Sequence, residues 1–275
     1  METPVKTLVH LSDIHFGRID ETVLAAIVPL IQHLAPDLVV VSGDLTQRAK
    51  PDQFRAARQF LDALPRPQIV VPGNHDIPLY NLFQRFLQPL TKYRRFISSQ
   101  LEPFYADDEM AVAGINTARS LTFKNGRVNE AQLRRLHDRL APLDDKINKI
   151  IVTHHPFDLP EGFDEHQLVG RSKLAMEIFR RVGADTLLSG HLHTSRVSET
   201  ARRYPMGGFN ALVVQAGTAT STRSRGETNS FNRLRIDGDI IDIERWAWQP
   251  DERAFSVATR QRYEWMPDGW QPASA

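Results

Sequence analysis

Short runs of Val, Ile and Leu punctuate the chain at residues 7–11, 38–41, 69–71, 150–152 and 186–188. Each is continuously apolar rather than alternating, the pattern of a strand covered on both faces of its sheet. Between the first three the period changes to that of a helix, over 21–34 and over 52–64, the second opened by Pro51 and closed before Pro65. The resulting β-α-β-α-β order predicts a parallel sheet with crossover helices. Another strand is predicted at 110–115, and helices at 129–140 and 172–182. Past His193 the pattern turns strand-rich, at 211–215, 232–237 and 239–248, with Asp-Gly-Asp at 237–239 as a hairpin turn. This β-rich half predicts a second sheet packed on the first. With no repeat, low-complexity tract or Gly/Ser linker, one domain over 1–275 is expected.

The residues just beyond the five apolar runs change the picture. The runs lead into Asp13 and His15, into Gly43-Asp44, into Gly73-Asn74-His75-Asp76, into His154-His155-Pro156 and into Gly190-His191-Leu192-His193. In an open α/β sheet, ligands bind beyond the carboxyl ends of the strands, where those loops converge. If the five strands are neighbours, three Asp, one Asn and six His gather in one crevice. Singly, each cluster reads as turn or capping chemistry; five in one chain are hard to attribute to turns. Cysteine is absent, which removes disulfides, thiolate zinc sites and thiol nucleophiles together. Imidazole and carboxylate without thiolate favour Mn, Fe, Zn, Ni or Co. The donors exceed what one ion needs and suit two ions ~3.5–4 Å apart sharing a carboxylate.

Charge narrows the partners. With 34 Lys+Arg against 33 Asp+Glu, no global field calls for a nucleic-acid polymer or a membrane. The pairs Arg94-Arg95, Arg202-Arg203 and Arg223-x-Arg225 read first as solvated surface, a phosphate-facing rim being the minor reading. The N-terminal stretch lacks the apolar core of a signal peptide, and no run reaches the ~18 apolar residues of a membrane span. A cytoplasmic protein is the expectation, with peripheral membrane contact and oligomeric state left open.

The ordered set Asp13-x-His15, Gly43-Asp44, Gly73-Asn74-His75-Asp76, His154-His155-Pro156 and Gly190-His191-x-His193 resembles the calcineurin-like metallophosphoesterase superfamily. The wording of the motifs is most similar to bacterial class III cyclic-nucleotide phosphodiesterases. The resemblance implies a four-layer α/β/β/α sandwich with two mixed sheets flanked by helices. It also implies roles: Asp13, His15 and His193 on one metal, Asn74, His154 and His191 on the other, and Asp44 bridging. His75 would protonate the leaving oxygen or steady the transition state, with Asp76 orienting it. A metal-bridging hydroxide would attack phosphorus in line. His154 is taken over His155 because the family places the ligand two residues before the proline. His191 and His193 would reach different metals, with Gly190 giving the backbone freedom to bend.

The implied activity is a dimetal phosphodiesterase acting on a small phosphodiester, with a cyclic nucleotide as leading substrate. A larger lipid-linked or nucleotide-diphosphate ester is the alternative. A non-catalytic scaffold is disfavoured, since such proteins should lose ligands and here every one is present. One stretch stands apart. Residues 79–97 carry Leu79, Leu82, Phe83, Phe86, Leu87, Leu90, Phe96 and Ile97 at mostly helical spacing, broken at Pro89. Arg85, Lys92, Arg94 and Arg95 add a basic side. Because the stretch leaves the Asn-His-Asp motif directly, it is expected to form a helical cap or wall of the substrate pocket. Its apolar stripe is expected to pack on the domain; an exposed stripe would instead point to an acyl or prenyl chain on the substrate.

Overall fold

A computed structural model of the protein describes residues 5–122, 124–160, 162–223 and 226–273. Its strands form two mixed sheets. The first holds β1 (Lys6–Leu11), β2 (Leu38–Val41), β3 (Gln68–Val70), β10 (Ser230–Asp237), β11 (Ile240–Gln249), β12 (Ala254–Met266) and β13 (Gly269–Pro272), in the order β13-β12-β11-β10-β1-β2-β3. The second holds β4 (Phe104–Ala106), β5 (Met110–Gly114), β6 (Asn148–Val152), β7 (Thr186–Ser189), β8 (Arg196–Glu199) and β9 (Leu212–Gln215), in the order β4-β5-β6-β7-β9-β8. The triplet β1-β2-β3 is parallel, as is β5-β6-β7-β9.

Why the predicted strands read as unbroken apolar runs is visible in the packing. Along β1 and β2, Leu8, Leu38 and Val40 meet Ile150, Val152, Leu188 and Val214 of the other sheet. Their neighbours Val9, Leu11, Val39 and Val41 turn the other way, onto α1 (Glu21–Leu34) and α2 (Pro51–Ala63). On the far side, Ala113, Ile151, Leu187 and Val213 pack against α5 (Glu130–Leu140) and α6 (Ser172–Val182). Side chains alternate across a strand, so a strand covered on both faces must be apolar at every position. The helices bury one stripe each, Val23, Ile27 and Ile31 in α1 and Leu133, Leu136 and Leu140 in α5. Asp20 caps α1, and Asn129 with Gln132 forms a reciprocal capping box on α5. The four layers expected from the motifs are therefore present.

One condition is not met and one expectation is corrected. The five motif-bearing strands are not neighbours in one sheet: β1, β2 and β3 belong to the first and β6 and β7 to the second. Nor does the β-rich second half build a separate sheet. The 237–239 turn does join a hairpin, but β10 pairs antiparallel with β1 and extends the first sheet through β13. A run of strands in sequence does not say which edge it will join; here the free edge of β1 takes it.

Residues 79–97 split at Pro89 into α3 (Leu82–Leu87) and α4 (Thr91–Phe96), as the spacing predicts. The packing expectation holds only for the second. Leu90, Tyr93, Phe96 and Ile97 join the core, and the Tyr93 hydroxyl donates to the Val70 carbonyl at 2.9 Å. On α3, Leu82, Phe83 and Leu87 are 57%, 69% and 66% exposed, so the stripe is open to solvent. Arg85, expected on a basic outer side, is buried instead and donates to the carbonyls of Pro78 and Ser120. Those bonds anchor a helix too short to stand alone. Because Phe83 and Phe86 are 69% and 45% exposed, replacing both with alanine is expected to lower unfolding free energy by no more than about 1 kcal/mol, short of the ~3–5 kcal/mol of one core phenylalanine. Urea titration checks this; a loss of several times that would place them in the core after all.

Candidate metal centre

The two sheets present the carboxyl ends of β1, β2, β3, β6 and β7 at one edge of the sandwich, so the loops meet there without sharing a sheet. Backbone bonds lock them together: His15 N–H donates to Asp44 O at 2.9 Å, Ser42 N–H to Leu11 O at 2.9 Å, and Gly190 N–H to His154 O at 3.1 Å. The loops turn sharply, and the candidate ligands take the strain. Asp13, His15, Asp44, His191 and His193 all have positive φ, between 53° and 73°. Non-glycine residues visit this region uncommonly, and clusters of them mark functional sites.

This corrects the role given to Gly190. The bend lies in His191 and His193 themselves, at φ 73° and 60°. Gly190 is needed for close approach: a Cβ there would lie 1.8 Å from Ser12 Oγ and 2.6 Å from Asp13 Oδ2. Ser12 Oγ cannot simply rotate away, since it donates to Asp13 Oδ2 at 2.8 Å. Gly190→Ala is expected to cost about 1–3 kcal/mol of stability by overpacking and to lower bound metal, read by urea titration and elemental analysis. Wild-type values in both would show that the loop has slack.

The candidate donors form two groups. In one, Asp13 Oδ1 lies 3.5 Å from His15 Nε2 and 3.2 Å from His193 Nε2, and the two Nε2 atoms are 3.4 Å apart. In the other, His154 Nε2 lies 3.3 Å from Asp44 Oδ2 and 3.2 Å from Asn74 Oδ1. Asp44 Oδ2 also lies 3.7 Å from His15 Nε2, so it stands between the groups. The His191 ring packs against that of His154 with centroids 5.1 Å apart. His155 is nearer to His191 than His154 is, at 4.6 Å, yet both its nitrogens are engaged, with Thr117 Oγ1 at 2.8 Å and Lys124 O at 2.9 Å.

The chemistry of the set fits cations. Asp13 Oδ1 and His15 Nδ1 are buried and make no hydrogen bond. Burial pushes both carboxylates up, but the imidazoles beside them outweigh it, chiefly His193 for Asp13 and His154 for Asp44, and hold them ionised. Burial and the neighbouring His154 push His191 down to about 3, leaving the neutral imidazole that ligates. Burial also lowers His154, yet Asp44 overrides it and raises that ring to about 9. The Asp44 charge thus favours a cation at this ring, whether a proton or a metal, and metal binding would displace the proton. The backbone orients the rings: His154 Nδ1 faces Ser42 O at 2.7 Å and His193 Nδ1 faces Arg223 O at 2.9 Å.

His75 sits at the rim, its ring 5.0 Å from that of His15. Asp76 does not touch that ring. Its carboxylate accepts from the N–H groups of Leu45, Thr46 and Gly73 and from Thr46 Oγ1, holding the turn. The ring is oriented instead by Gln47 O, 3.0 Å from Nδ1, and by Arg223 Nη1, 3.0 Å from Nε2. Gln47 was not legible as a site residue, because it acts through a carbonyl every residue has; Arg223, which arrives from the loop after β9, was legible only in the minor reading of its pair as a phosphate-facing rim. Arg225 lies outside the described residues. The unassigned His10 is buried, with Nε2 2.8 Å from Ser42 Oγ, a packing role. His33 and His166 are exposed and His137 half-buried.

Two mixed sheets, flanking helices and buried His/Asp clusters consistent with a dimetal site define a metallophosphoesterase-type fold and centre. The chain belongs to the calcineurin-like phosphoesterase family, whose sequence model matches residues 6–195. It is 32% identical over 164 residues to the glycerophosphodiester phosphodiesterase GpdQ of Enterobacter lignolyticus (strain SCF1), covering 55% of this chain and 58% of that one. It is 29% identical over 162 residues to the 3',5'-cyclic adenosine monophosphate phosphodiesterase CpdA of Escherichia coli (strain K12), covering 57% and 54%. The matches thus span about half the length of these curated relatives. In fold it is similar to a purple acid phosphatase of yellow lupin, at TM-score 0.70 and 14% identity over 95% of this chain and 54% of that one. It is likewise similar to a dimetal phosphatase of Danio rerio, at TM-score 0.65 and 15% identity over 94% and 99%. Among the described residues no helix is long and apolar enough to cross a membrane.

Proposed function

We propose that the protein is a dimetal phosphodiesterase, and one observation carries this: two convergent donor groups joined by a single Asp44 oxygen, with His75 at their rim. Asp13, His15 and His193 would hold one ion, Asn74, His154 and His191 the other, and Asp44 both, within a single domain. The full engagement of His155 supports His154 as the ligand. Mn, Fe or Zn suit these donors best, with Ni or Co compatible. Bound ions would supply Lewis acidity toward the phosphoryl oxygens and a water of lowered pKa.

The chain's own residues would do the rest. Gln47 O accepts from Nδ1–H of His75, which leaves Nε2 as the atom that takes a proton and gives it to the leaving oxygen. Burial lowers the affinity of this ring for protons, favouring prompt transfer. Asp76 acts as a positioning residue, fixing the turn that carries Asn74 and His75. Ile77 and Leu79 line the pocket beside them, which supports Leu79 as the part of 79–97 that would wall it.

A cyclic nucleotide is the substrate class suggested by the motif wording and by CpdA among the relatives. The exposed stripe on α3 favours a second reading, a larger phosphodiester with a lipid chain. The test is a panel on manganese-loaded protein: bis(p-nitrophenyl) phosphate, cyclic AMP, a glycerophosphodiester, a sugar-nucleotide diphosphate and a lipid phosphodiester. Hydrolysis that stops on chelation and returns with manganese is expected. Two bound ions with no turnover of any ester would return the scaffold reading. Phe83→Ala with Phe86→Ala raises KM for a lipid substrate and spares the bis-ester if the second reading holds.

A further inference from the structure

The pocket beside the metal centre has a charge imbalance that a single scissile phosphate does not account for. Its volume is about 310 Å³, and Asn74 and His75 form the wall it shares with the donor groups. Three cationic residues line it, Arg48, Lys124 and Arg223, over the apolar floor of Ile77 and Leu79. Among the described residues no carboxylate lines it.

Nor are those cations spent elsewhere. Arg223 has one side-chain partner among the described residues, the lone pair of His75 Nε2 at 3.0 Å. A guanidinium carries five N–H donors, so most of its capacity remains. Arg48 donates to the Gln47 carbonyl at 3.4 Å and lies over the Tyr80 ring at 5.7 Å. Neither contact neutralises it, and Lys124 makes no ion pair among the described residues. The nearest acids, Asp13 and Asp44, are committed to the histidines of the centre. Positive charge on the half-buried Arg48 and Arg223, with exposed Lys124 at the mouth, is costly against apolar walls unless an anion offsets it, and the arginine fork matches phosphate oxygens in pairs.

We propose that this pocket is a subsite for a second phosphate of the substrate, held by Arg223, Arg48 and Lys124 on the leaving-group side of the scissile bond. The side follows from the proton-donating role given to His75, so the inference rests on the phosphodiesterase reading. The substrate class it defines is a diphosphate diester or a diester whose alcohol bears a phosphate. In the first case water adds to one phosphorus, the P–O–P bond breaks, and the departing phosphate monoester keeps the second phosphorus and takes the proton on its oxygen. Arg223 links the events: leaving His75 Nε2 for the incoming phosphate would free that nitrogen to carry the proton.

The test compares AMP and ADP as competitive inhibitors of bis(p-nitrophenyl) phosphate hydrolysis by the manganese-loaded protein. Wild type is expected to bind ADP at least tenfold more tightly than AMP. That advantage should shrink at least fivefold in Arg48→Ala and in Arg223→Lys, the latter keeping charge but losing the fork. No ADP advantage in wild type, or one that survives both substitutions unchanged, would overturn the subsite and place both nucleotides on the metals alone. If the bis-ester is not hydrolysed, the phosphodiesterase reading fails. Calorimetric titration of the same two nucleotides into wild type and variants then still decides the pocket by the same ratios.

Discussion

Asp44→Asn is expected to release more metal than substitution of any other ligand, taking the protein from ~2 ions per chain toward none, since a site missing its shared anion binds neither ion well. The carboxylate stands 3.3 Å from His154 Nε2 and 3.7 Å from His15 Nε2, one donor in each group. Its charge is also what raises His154, so the substitution removes the pull on a cation at that ring as well. Asparagine tolerates the left-handed conformation at φ 53°, and its amide oxygen can still accept from His75 N–H, now 2.8 Å from Oδ1. A folding defect therefore should not explain the loss. His193→Ala is the comparison, because His193 belongs to one group only and should release one ion. Activity in Asp44→Asn should fall by more than the ~10–100-fold typical of losing an outer partner of a ligand. Elemental analysis decides the matter: two ions retained at normal occupancy would remove Asp44 from its bridging role.

His75→Ala should leave metal content near wild type while kcat falls about 10²–10⁴-fold, the range for a lost acid–base group. The separation is possible because His75 faces Gln47 O and Arg223 rather than the donor groups. A p-nitrophenolate needs little help to depart and an alkoxide needs much. The defect should therefore be smallest on the bis-ester and grow on alkyl diesters. An equal defect on both would assign His75 to binding the transition state, with Arg223 and His75 acting as one donor pair.

The readings of the sequence that stood rest on local chemistry. An unbroken run such as 38–41 reports that both faces of a strand are covered, whichever sheet holds it, and Pro51 and Pro89 act on their own backbone wherever it lies. The ligand-type side chains were legible because metal-type donors are few in kind and stood at the ends of strands. What the sequence did not contain was the pairing of elements distant along the chain. The same apolar runs satisfy one sheet of five or two sheets packed face to face, and only the packing of Leu8 and Val40 on Ile150 and Leu188 separates the two. Solvent exposure of α3 was likewise set by geometry. Helical spacing says that a stripe exists but not that a body covers it, and buried Arg85, bonded to Pro78 and Ser120, turns the stripe outward. The hydrogen bonds that orient the rings come from the backbone of Ser42, Gln47 and Arg223, groups that every residue carries and no motif can record. Side-chain chemistry is written one residue at a time, so the sequence alone determined which donors this protein has. Distances between donors are sums over the whole fold, so only the tertiary structure decided which of them meet, and that three cations from separate loops share the pocket at their side.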